Sequence, residues 1–556
     1  MILKAYTGAY IWKIEMRTFD RIILLLLLLS LAIACEKVPT DGLKPDINED
    51  ITIYGYVTAN GVGLPNVVVS DGVVVTTTGE NGQYNMKSSK STTAVFVSTP
   101  SGYVPQSSGI MPAFFKRYSR GPADLERIDF KLDPVEQEHF KLLALGDMHL
   151  ADRQFCNDLG QFRRFSAEVN ELVASSDVPV YAVTLGDMTW DQFRVVNGFG
   201  FQEYLKELKK DLSGLLVYHS MGNHDNNPDF VGDEAAQYDY EMAICPNHYS
   251  FNIGKVHIVV LDDILYNNSS AGVRSFYPQL SSDQLNWLKA DLGYVDRSTP
   301  VLVAMHTPFY YRDGSSALYN FSELLHCFDG FDYVQFLTGH THTVYNVDML
   351  SRSVHVMETN SGAVCGAWWM TDIACKAGFN ICSDGSPAGY RILDISGKDI
   401  RWTYKGTECS EDFQFRTYDR NQFHFDSDGW VPDASVEDRQ AFADAVGAYA
   451  KVSTANQVLI NIWDYDPSWT VSVTENGHRL EVKQLKNIKD PLYLAAYEAY
   501  EYEHGYSVSY PGGSTDHIFS VTASSATSTL QIDVTDRFGR TYSQTMTRPQ
   551  AFYEPR

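Results

Sequence analysis

Five short polar motifs, each placed where an apolar run ends, contain most of the residues that could do chemistry. They supply two aspartates, one asparagine and four histidines, whose donor atoms suit a pair of divalent metal ions, and one more histidine for proton transfer. In chain order the motifs are Gly-Asp147-Met-His149, Gly-Asp187, Gly-Asn223-His224-Asp225, His306 and Gly-His340-Thr-His342.

Hydrolysis of a phosphoester is the reaction that such a set of ligands would serve. The reaction needs a hydroxide at neutral pH, neutralisation of the charge on the phosphoryl oxygens, and a proton for the leaving group. Two divalent ions about 3.5–4 Å apart supply the first two. Because imidazole is a borderline ligand, this donor set favours Mn, Fe or Zn over Mg or Ca. We predict two such ions as the cofactor, with Asp187 as the carboxylate that they share.

The order of the motifs resembles that of the calcineurin-like metallophosphoesterases, from Leu142 to Val344 and more loosely to about residue 406. The resemblance implies one metal site made by Asp147, His149, Asp187 and His342, and a second made by Asp187, Asn223, His306 and His340. It further implies that His224 protonates the leaving oxygen or stabilises the transition state, and that Asp225 orients the ring of His224.

Two departures place the chain within that family. Purple acid phosphatases have Gly at the position of His149 and a tyrosine ligand three residues after the bridging Asp, where this chain has Trp190. Protein Ser/Thr phosphatases have Asp-Arg-Gly after the bridging Asp, and Asp187-Met-Thr-Trp lacks it. The chain is therefore similar to the phosphodiesterase-like members, which act on small or polymer-linked phosphoesters.

Around the motifs, the chain alternates strands and helices in the way that predicts stacked sheets covered by helices. We expect an α/β fold, a four-layer α/β/β/α metallophosphoesterase sandwich over residues 138–406. Residues 51–134 resemble the small β-sandwich of carboxypeptidase regulatory domains, and residues 410–556 are expected to form a C-terminal β-sandwich with a helix at about 437–450. Helices are predicted at 158–174, at 201–212 and after Ser281, and a hairpin is predicted around Gly254.

The N-terminal residues have the pattern of a bacterial lipoprotein signal. The apolar run from Ile22 to Ala34 is too short to span a bilayer, follows basic residues, and ends at Cys35, with Met16 as the expected start. We predict a signal peptide over residues 1–35, a linker over 36–50, and attachment to the membrane only through lipidated Cys35, in the cell envelope. An ordinary cleaved signal or a buried helix is the alternative.

The cysteines and a pair of tryptophans leave further alternatives open. Export makes disulfides possible, and the cluster at Cys365, Cys375 and Cys382 is the first candidate, with no connectivity fixed. Trp368 and Trp369 begin a long loop and either line the mouth of the site, where they could stack on a sugar or base, or pack against the C-terminal region. His219 and His257 fall within apparent strands and are interpreted as structural.

The net charge of −25 over 556 residues argues against a nucleic-acid partner. We predict a metallophosphoesterase, specifically a phosphodiesterase that acts on small or glycan-linked phosphoesters outside the inner membrane, on the periplasmic side or the outer surface. The alternatives are a phosphomonoesterase or nucleotidase, and a non-catalytic surface lipoprotein that binds glycan. The physiological substrate, the native metals and the oligomeric state are not given by the sequence.

Overall fold

The computed structural model describes residue 47 and residues 50–371 and 379–552. Over these ranges the protein is mixed α/β, with a central two-sheet sandwich covered by helices and a β-rich region at each end, which confirms the predicted fold class. Cys35, Cys375 and the predicted signal peptide lie outside the described residues. No described helix is both long enough and apolar enough to cross a membrane.

The N-terminal region is made of short strands in two main sheets. The first sheet contains Ile53–Ala59, Val62–Gly63, Gln83–Met86, Tyr103–Pro105, Glu126–Arg127 and Phe130–Pro134, and the second contains Val68–Ser70, Val75–Thr77, Ala94–Val97 and Phe115–Arg117. Ser107–Ser108 and Met111–Pro112 form a small hairpin. The region shares one continuous buried core with the central sandwich, where the rings of Phe114 and Tyr249 lie 4.4 Å apart. It is therefore packed directly onto the central region.

The central region holds the two sheets that position the motifs. In sheet order, the first contains Leu216–Tyr218, Val180–Thr184, His139–Leu145, Gly389–Ser396 and Asp399–Gly406, and the second contains Tyr249–Ile253, Val256–Val260, Val301–Ala304, Tyr333–Thr338, Val354–Ser361 and Val344–Ser351. Ile264–Tyr266 and Phe276–Pro278 form a separate pair. The first three strands of the first sheet run parallel to one another, so their carboxyl ends meet at one edge.

Six α-helices lie in the described part of the central region. They are Asp158–Ser175, Phe193–Val196, Phe201–Asp211, Asp233–Ala243, Ser282–Leu292 and Phe321–Cys327. The hydroxyl of Ser281 accepts a hydrogen bond from the Gln284 amide and caps its helix, as the sequence predicts. Phe162, Phe165 and Val169 are fully buried on one face of the first helix, which confirms the helical period of its apolar residues.

The C-terminal region contains two further sheets and a helical segment. The sheets are Phe415–Asp419, Gln457–Ile462, Ile518–Thr522 and Lys483–Leu485, and His478–Arg479, Thr470–Glu475, Leu530–Thr535 and Thr541–Met546. The helices are Ser427–Trp430, Val436–Val446 with a 3₁₀ turn at Gly447–Ala450, and Pro491–Tyr493, which continues through a π-helical stretch, Leu494–Glu498, into Ala499–Glu503. Residues 491–510, here called the tyrosine segment, reach the central region, because the hydroxyl of Tyr510 donates to the carbonyl of Thr341.

Candidate metal centre

All five motifs lie in loops that follow strands of the central sheets, and the folding of these sheets brings them to one place. Asp147, Asp187 and Asn223 follow three parallel strands of the first sheet, and His306 and His340 follow two parallel strands of the second. Carboxyl ends of parallel strands are the usual place for a site in α/β proteins. The structure therefore places the seven predicted ligand residues together.

One group of donors surrounds His149. Its Nε2 lies 3.2 Å from Nε2 of His342, 3.8 Å from Oδ1 of Asp147 and 3.5 Å from Oδ2 of Asp187. Nε2 of His342 is in turn 3.3 Å from Oδ1 of Asp147. These are the four residues that the resemblance assigns to the first metal.

A second group surrounds His306 and shares Asp187 with the first. Nε2 of His306 lies 3.2 Å from Oδ2 of Asp187, 3.0 Å from Oδ1 of Asn223 and 3.0 Å from Nδ1 of His340. The same carboxylate oxygen of Asp187 thus approaches both His149 and His306. This is the position that a bridging ligand must occupy.

The hydrogen bonds of the ring nitrogens that face away from the centre indicate whether the histidines are suited to bind a cation. Nδ1 of His306 donates to the carbonyl of Leu185 at 2.8 Å, and Nδ1 of His342 donates to the carbonyl of Gly366 at 2.7 Å. In the neutral ring this leaves the Nε2 lone pair facing the carboxylate of Asp187 (from His306) or of Asp147 (from His342), neither of which can donate when ionised. Such convergence of buried acceptors suits metal cations, and the carbonyl partners fix the ring orientations.

The electrostatics of the centre also favour positive charge. Burial alone would lower the pKa of His306, but the carboxylate of Asp187 raises it to about 10. Burial lowers the pKa of His149 to about 4 and that of His340 to about 3, so both rings are neutral and can act as ligands at pH 7. The histidine rings hold the pKa of Asp187 well below its usual range against the effect of burial. Asp187 is therefore ionised.

The backbone at this centre adopts conformations that side chains rarely accept. Five of the seven ligand residues have left-handed φ values between 45° and 65°: Asp147, His149, Asp187, His340 and His342. Strain of this kind collects at functional sites. The glycines before the ligands leave room for them, since a Cβ at Gly222 would lie 2.4 Å from Oδ1 of Asp187 and one at Gly339 would lie 2.3 Å from Oδ2 of Asp147.

His224 lies at the edge of the centre, and its partner is not the one expected from the sequence. Nδ1 of His224 is 2.8 Å from Oδ1 of Asp191, whose other oxygen accepts from the Arg274 guanidinium at 2.7 Å. Although burial opposes it, the hydrogen bond from His224 and the Arg274 charge hold the pKa of Asp191 below its usual range. The expectation that Asp225 orients the His224 ring is therefore wrong, and Asp191 has that position.

Asp225 instead organises the backbone beneath the centre. Its carboxylate accepts hydrogen bonds from the amides of Gly222, Met188 and Thr189 at 3.0–3.3 Å. Because residues 223–225 form a 3₁₀ turn, in which successive side chains point about 120° apart, Asp225 faces away from the His224 ring. Burial and the neighbouring Asp187 raise the pKa of Asp225 to about 6.

The two tryptophans have different environments. Trp368 is half-buried beside the centre, 4.3 Å from the ring of His149 and 4.6 Å from the ring of His342. Trp369 is buried in the core, and its Nε1 donates to the carbonyl of Met148. Trp368 therefore lies at the mouth of the site, which is the first alternative considered from the sequence. Trp369 packs in the core of the central region and not against the C-terminal region, so the second alternative does not hold for it.

The remaining predictions on individual residues concern histidines and thiols. His219 is buried beside the Tyr204 hydroxyl, and His257 bridges Asn252 and Asp291, which confirms that both are structural. Cys365 and Cys382 are buried free thiols, so no disulfide joins these two.

The tyrosine segment next to Trp368 is a part of the site that sequence reasoning missed. The rings of Trp368 and Tyr510 lie 5.4 Å apart, and Tyr510 also lies 5.3 Å from the ring of His342. No local motif marks the segment, and its tyrosines are more than 100 residues away from the nearest ligand in the chain. Its high aromatic content, with tyrosines at 493, 497, 500, 502, 506 and 510, was the available signal.

The chemistry that this arrangement can perform follows from its residues. Divalent ions held here would act as Lewis acids that activate water and neutralise the phosphoryl oxygens. Asp187 and the four predicted histidine ligands would hold these ions. The ionised Asp191 holds Nδ1 of His224, which leaves its Nε2 free to carry a proton. The surrounding core excludes bulk water from Asp147, His149 and His306, which are fully buried.

Parts of the chain are similar to known proteins. Aligned relatives include purple acid phosphatase 15 of Arabidopsis thaliana, 36% identical over 116 residues (18% of this chain, 19% of that protein), and purple acid phosphatase 18, 29% identical over 181 residues (29% and 38%). The aligned part is less than half of either plant protein. Similar solved structures include a 5'-nucleotidase from Candida albicans SC5314 (12% identity, TM-score 0.30, covering 48% of this chain and 50% of that one) and the NAD nucleotidase of Haemophilus influenzae (13%, 0.27, 48% and 49%).

Family models match almost the whole described chain. The model for calcineurin-like phosphoesterase matches residues 140–344, the model for the N terminal of calcineurin-like phosphoesterase matches 51–135, and the model for its C terminal matches 358–542. The first of these ranges contains all seven ligand residues and His224. With its motifs gathered into one centre, the chain belongs to the calcineurin-like phosphoesterases, a family of metal-dependent hydrolases of phosphoric esters.

Proposed function

We propose that this metallophosphoesterase is a phosphodiesterase that uses two divalent ions, drawn from Mn, Fe and Zn, and acts on small or glycan-linked phosphodiesters. The proposal rests on the charge that the centre can neutralise. At neutral pH a phosphomonoester carries close to two negative charges and a phosphodiester carries one, so a monoester needs cationic partners in addition to the metals.

The arginines that reach the edge of the centre are already engaged, and this observation carries the proposal. Arg274 forms an ion pair with Asp191. Arg153 donates to the Trp368 carbonyl and lies 3.5 Å from the Asp158 carboxylate, while Arg194 donates to the carbonyls of His224 and Asp225. Carboxylates offset the charges of Arg274 and Arg153, whereas carbonyls hold Arg194 in place without offsetting its charge. Of these three side chains only Arg194 keeps an uncompensated charge, which favours a diester over a monoester.

The test compares two model substrates on one preparation of protein loaded with Mn²⁺. We expect bis(p-nitrophenyl) phosphate to be hydrolysed with a higher kcat/KM than p-nitrophenyl phosphate, and a chelator to abolish both activities. The His224→Ala variant serves as the control, because it should bind the metals and lose turnover. A preference for the monoester would refute the diesterase proposal and favour the phosphomonoesterase or nucleotidase alternative. If the wild-type protein holds two bound ions and hydrolyses neither substrate, the non-catalytic glycan-binding alternative is favoured.

We also propose that the protein is anchored in a bacterial cell envelope through lipidated Cys35. The support is the sequence of the first 35 residues, whose apolar run ends at a lipoprotein-type box. Labelling of the wild type with a radioactive fatty acid, absent from Cys35→Ala, is the expected result. Labelling that survives the substitution would contradict the anchor.

A further inference from the structure

A cavity of about 530 Å³ opens beside His224, between the central region and the tyrosine segment. This volume is within the range of small-molecule binding sites. The C-terminal side of the cavity is lined by Tyr497, Glu501, Tyr506 and Tyr510. The central side includes Trp190 and Trp368, whose rings both lie near the ring of His149. A group attached to phosphorus on the side of His224 would enter this space.

Glu501 is the residue in the cavity that most clearly lacks a partner. It is 5% exposed, and among the described residues no hydrogen bond or ion pair reaches its carboxylate, on which the nearby charged group is His504. Burial raises the pKa of this carboxyl group. A buried polar group of this kind normally has a partner, and here the missing one would be a donor on a ligand. Sugar hydroxyls are such donors.

Two aromatic residues of the cavity lie against each other, so no flat base can enter between these two rings. Trp190 and Trp368 stack on each other at 4.6 Å with 25° between their planes, and Arg153 lies 4.8 Å from the Trp190 ring centre. The gap in which a nucleobase would be sandwiched is therefore closed.

The helix that presents Glu501 places its polar and aromatic groups on the same side. Tyr497 and Glu501 are four residues apart, across the junction of the π-helical stretch and the last α-helical turn, and both line the cavity. π-helical turns inside helices occur frequently at functional sites. An aromatic surface next to a hydrogen-bonding carboxylate suits a sugar ring, which has apolar faces and hydroxyl edges.

We propose that this cavity binds the sugar of a phosphodiester substrate, with the sugar oxygen that leaves phosphorus next to His224. The inference rests on the proposed phosphodiesterase function and names its leaving group. In the reaction, the oxygen of water forms a bond to phosphorus, and the bond from phosphorus to the sugar oxygen breaks with its electron pair going to that oxygen. The sugar oxygen takes the proton of His224 Nε2, and the proton lost by water replaces it.

The experiment uses D-glucose 6-(methyl phosphate), in which two primary alcohols are esterified to one phosphorus. The cavity should hold the larger group, so the protein loaded with Mn²⁺ should release glucose and methyl phosphate. Release of methanol and glucose 6-phosphate as the main products would overturn the inference. Because the two alcohols are similar leaving groups, the products report which one lies beside His224.

Variants of the cavity test the same point with a matched control. Tyr506→Ala and Glu501→Ala should each lower the ratio of glucose to methanol about tenfold, the effect of losing one charged hydrogen bond or a stacked ring. Tyr294→Ala is the control, since Tyr294 is 56% exposed and Tyr506 is 53% exposed, and only Tyr506 lines the cavity. An unchanged ratio in both cavity variants would contradict the inference.

Binding can be measured without turnover. In saturation-transfer NMR with chelator-treated protein, the ring protons of methyl α-D-glucopyranoside should receive saturation from the wild type and from Tyr294→Ala, and lose most of it in Glu501→Ala. No transfer from the wild type would overturn the inference.

The two model substrates separate failure of the sugar site from failure of the proposed function. If bis(p-nitrophenyl) phosphate is cleaved and the glucose ester is not, the sugar site is wrong and the phosphodiesterase function stands. If neither is cleaved by metal-loaded protein, the proposed function itself fails.

Discussion

Replacement of Asp191 by asparagine isolates the electrostatic part of the His224 contact. Asparagine keeps the size of the side chain and an oxygen that can accept from Nδ1, but it removes the negative charge 2.8 Å from the ring. Asp191 lies outside the seven predicted metal ligands, so the variant should bind the same amount of metal as the wild type. The positive charge that His224 carries when it holds its proton would lose its stabilising partner.

The size of the effect follows from the distances. Two unit charges about 4 Å apart interact by about 4 kcal/mol at an effective dielectric constant of 20. The side chain of His224 is 13% exposed and Arg274 offsets part of the Asp191 charge, so we take roughly half of that value, about 2 kcal/mol. A loss of about 2 kcal/mol in the transition state is about a 30-fold fall in kcat.

Aryl phosphodiesters whose leaving phenols differ in acidity provide the assay. A poor leaving group needs the proton most, so the dependence of kcat/KM on leaving-group acidity should become steeper in Asp191→Asn. In the His224→Ala background the same substitution should have little further effect, because the two residues act as a unit. An equal loss in both backgrounds, or an equal loss for all leaving groups, would refute the reasoning.

Other parts of the structure lead to three more predictions. Asp187→Ala should lose bound metal by elemental analysis, whereas His224→Ala should retain it; two retained ions in the first variant would disprove the bridge. Burial raises the pKa of Glu358 to about 8, so the folded state holds this proton more tightly, and the stability that it contributes should fall as pH rises from about 4.5 to about 8. Urea unfolding across this range should show that fall in the wild type and a flatter profile in Glu358→Gln. Trp369→Ala should cost about 3–5 kcal/mol of unfolding free energy and Trp368→Ala much less, which denaturant titration will measure.

The clustering of the predicted metal ligands could be foreseen from the sequence because each one follows a buried strand in a short motif. Parallel strands end at a common edge, so residues such as Asp147 and Asn223 meet there although 76 positions separate them. The helices after Asn157 and Ser281 were equally readable from apolar spacing and capping. In these places local sequence and overall fold specify the same structure.

The partner of His224 could not be found in this way. Asp225 is its neighbour in the chain, but the 3₁₀ turn directs that side chain to the amides of the loop, and Asp191 arrives from another loop 33 positions away. The tyrosine segment is a larger case of the same difficulty. Its approach to Trp368 depends on how two regions pack, which no spacing within either region records.

The tyrosine segment forms one wall of the cavity beside His224, and this wall contains none of the predicted metal ligands. The motifs of the central sheets hold the residues predicted to cleave the ester bond, whereas residues 491–510 border the space that the proposed leaving group would enter. Substitutions in residues 491–510 can change this wall without changing any predicted metal ligand. Related proteins can therefore keep the same reaction and differ in substrate specificity. Motifs that such proteins share would then indicate a common reaction, and the residues of this wall would indicate the substrate.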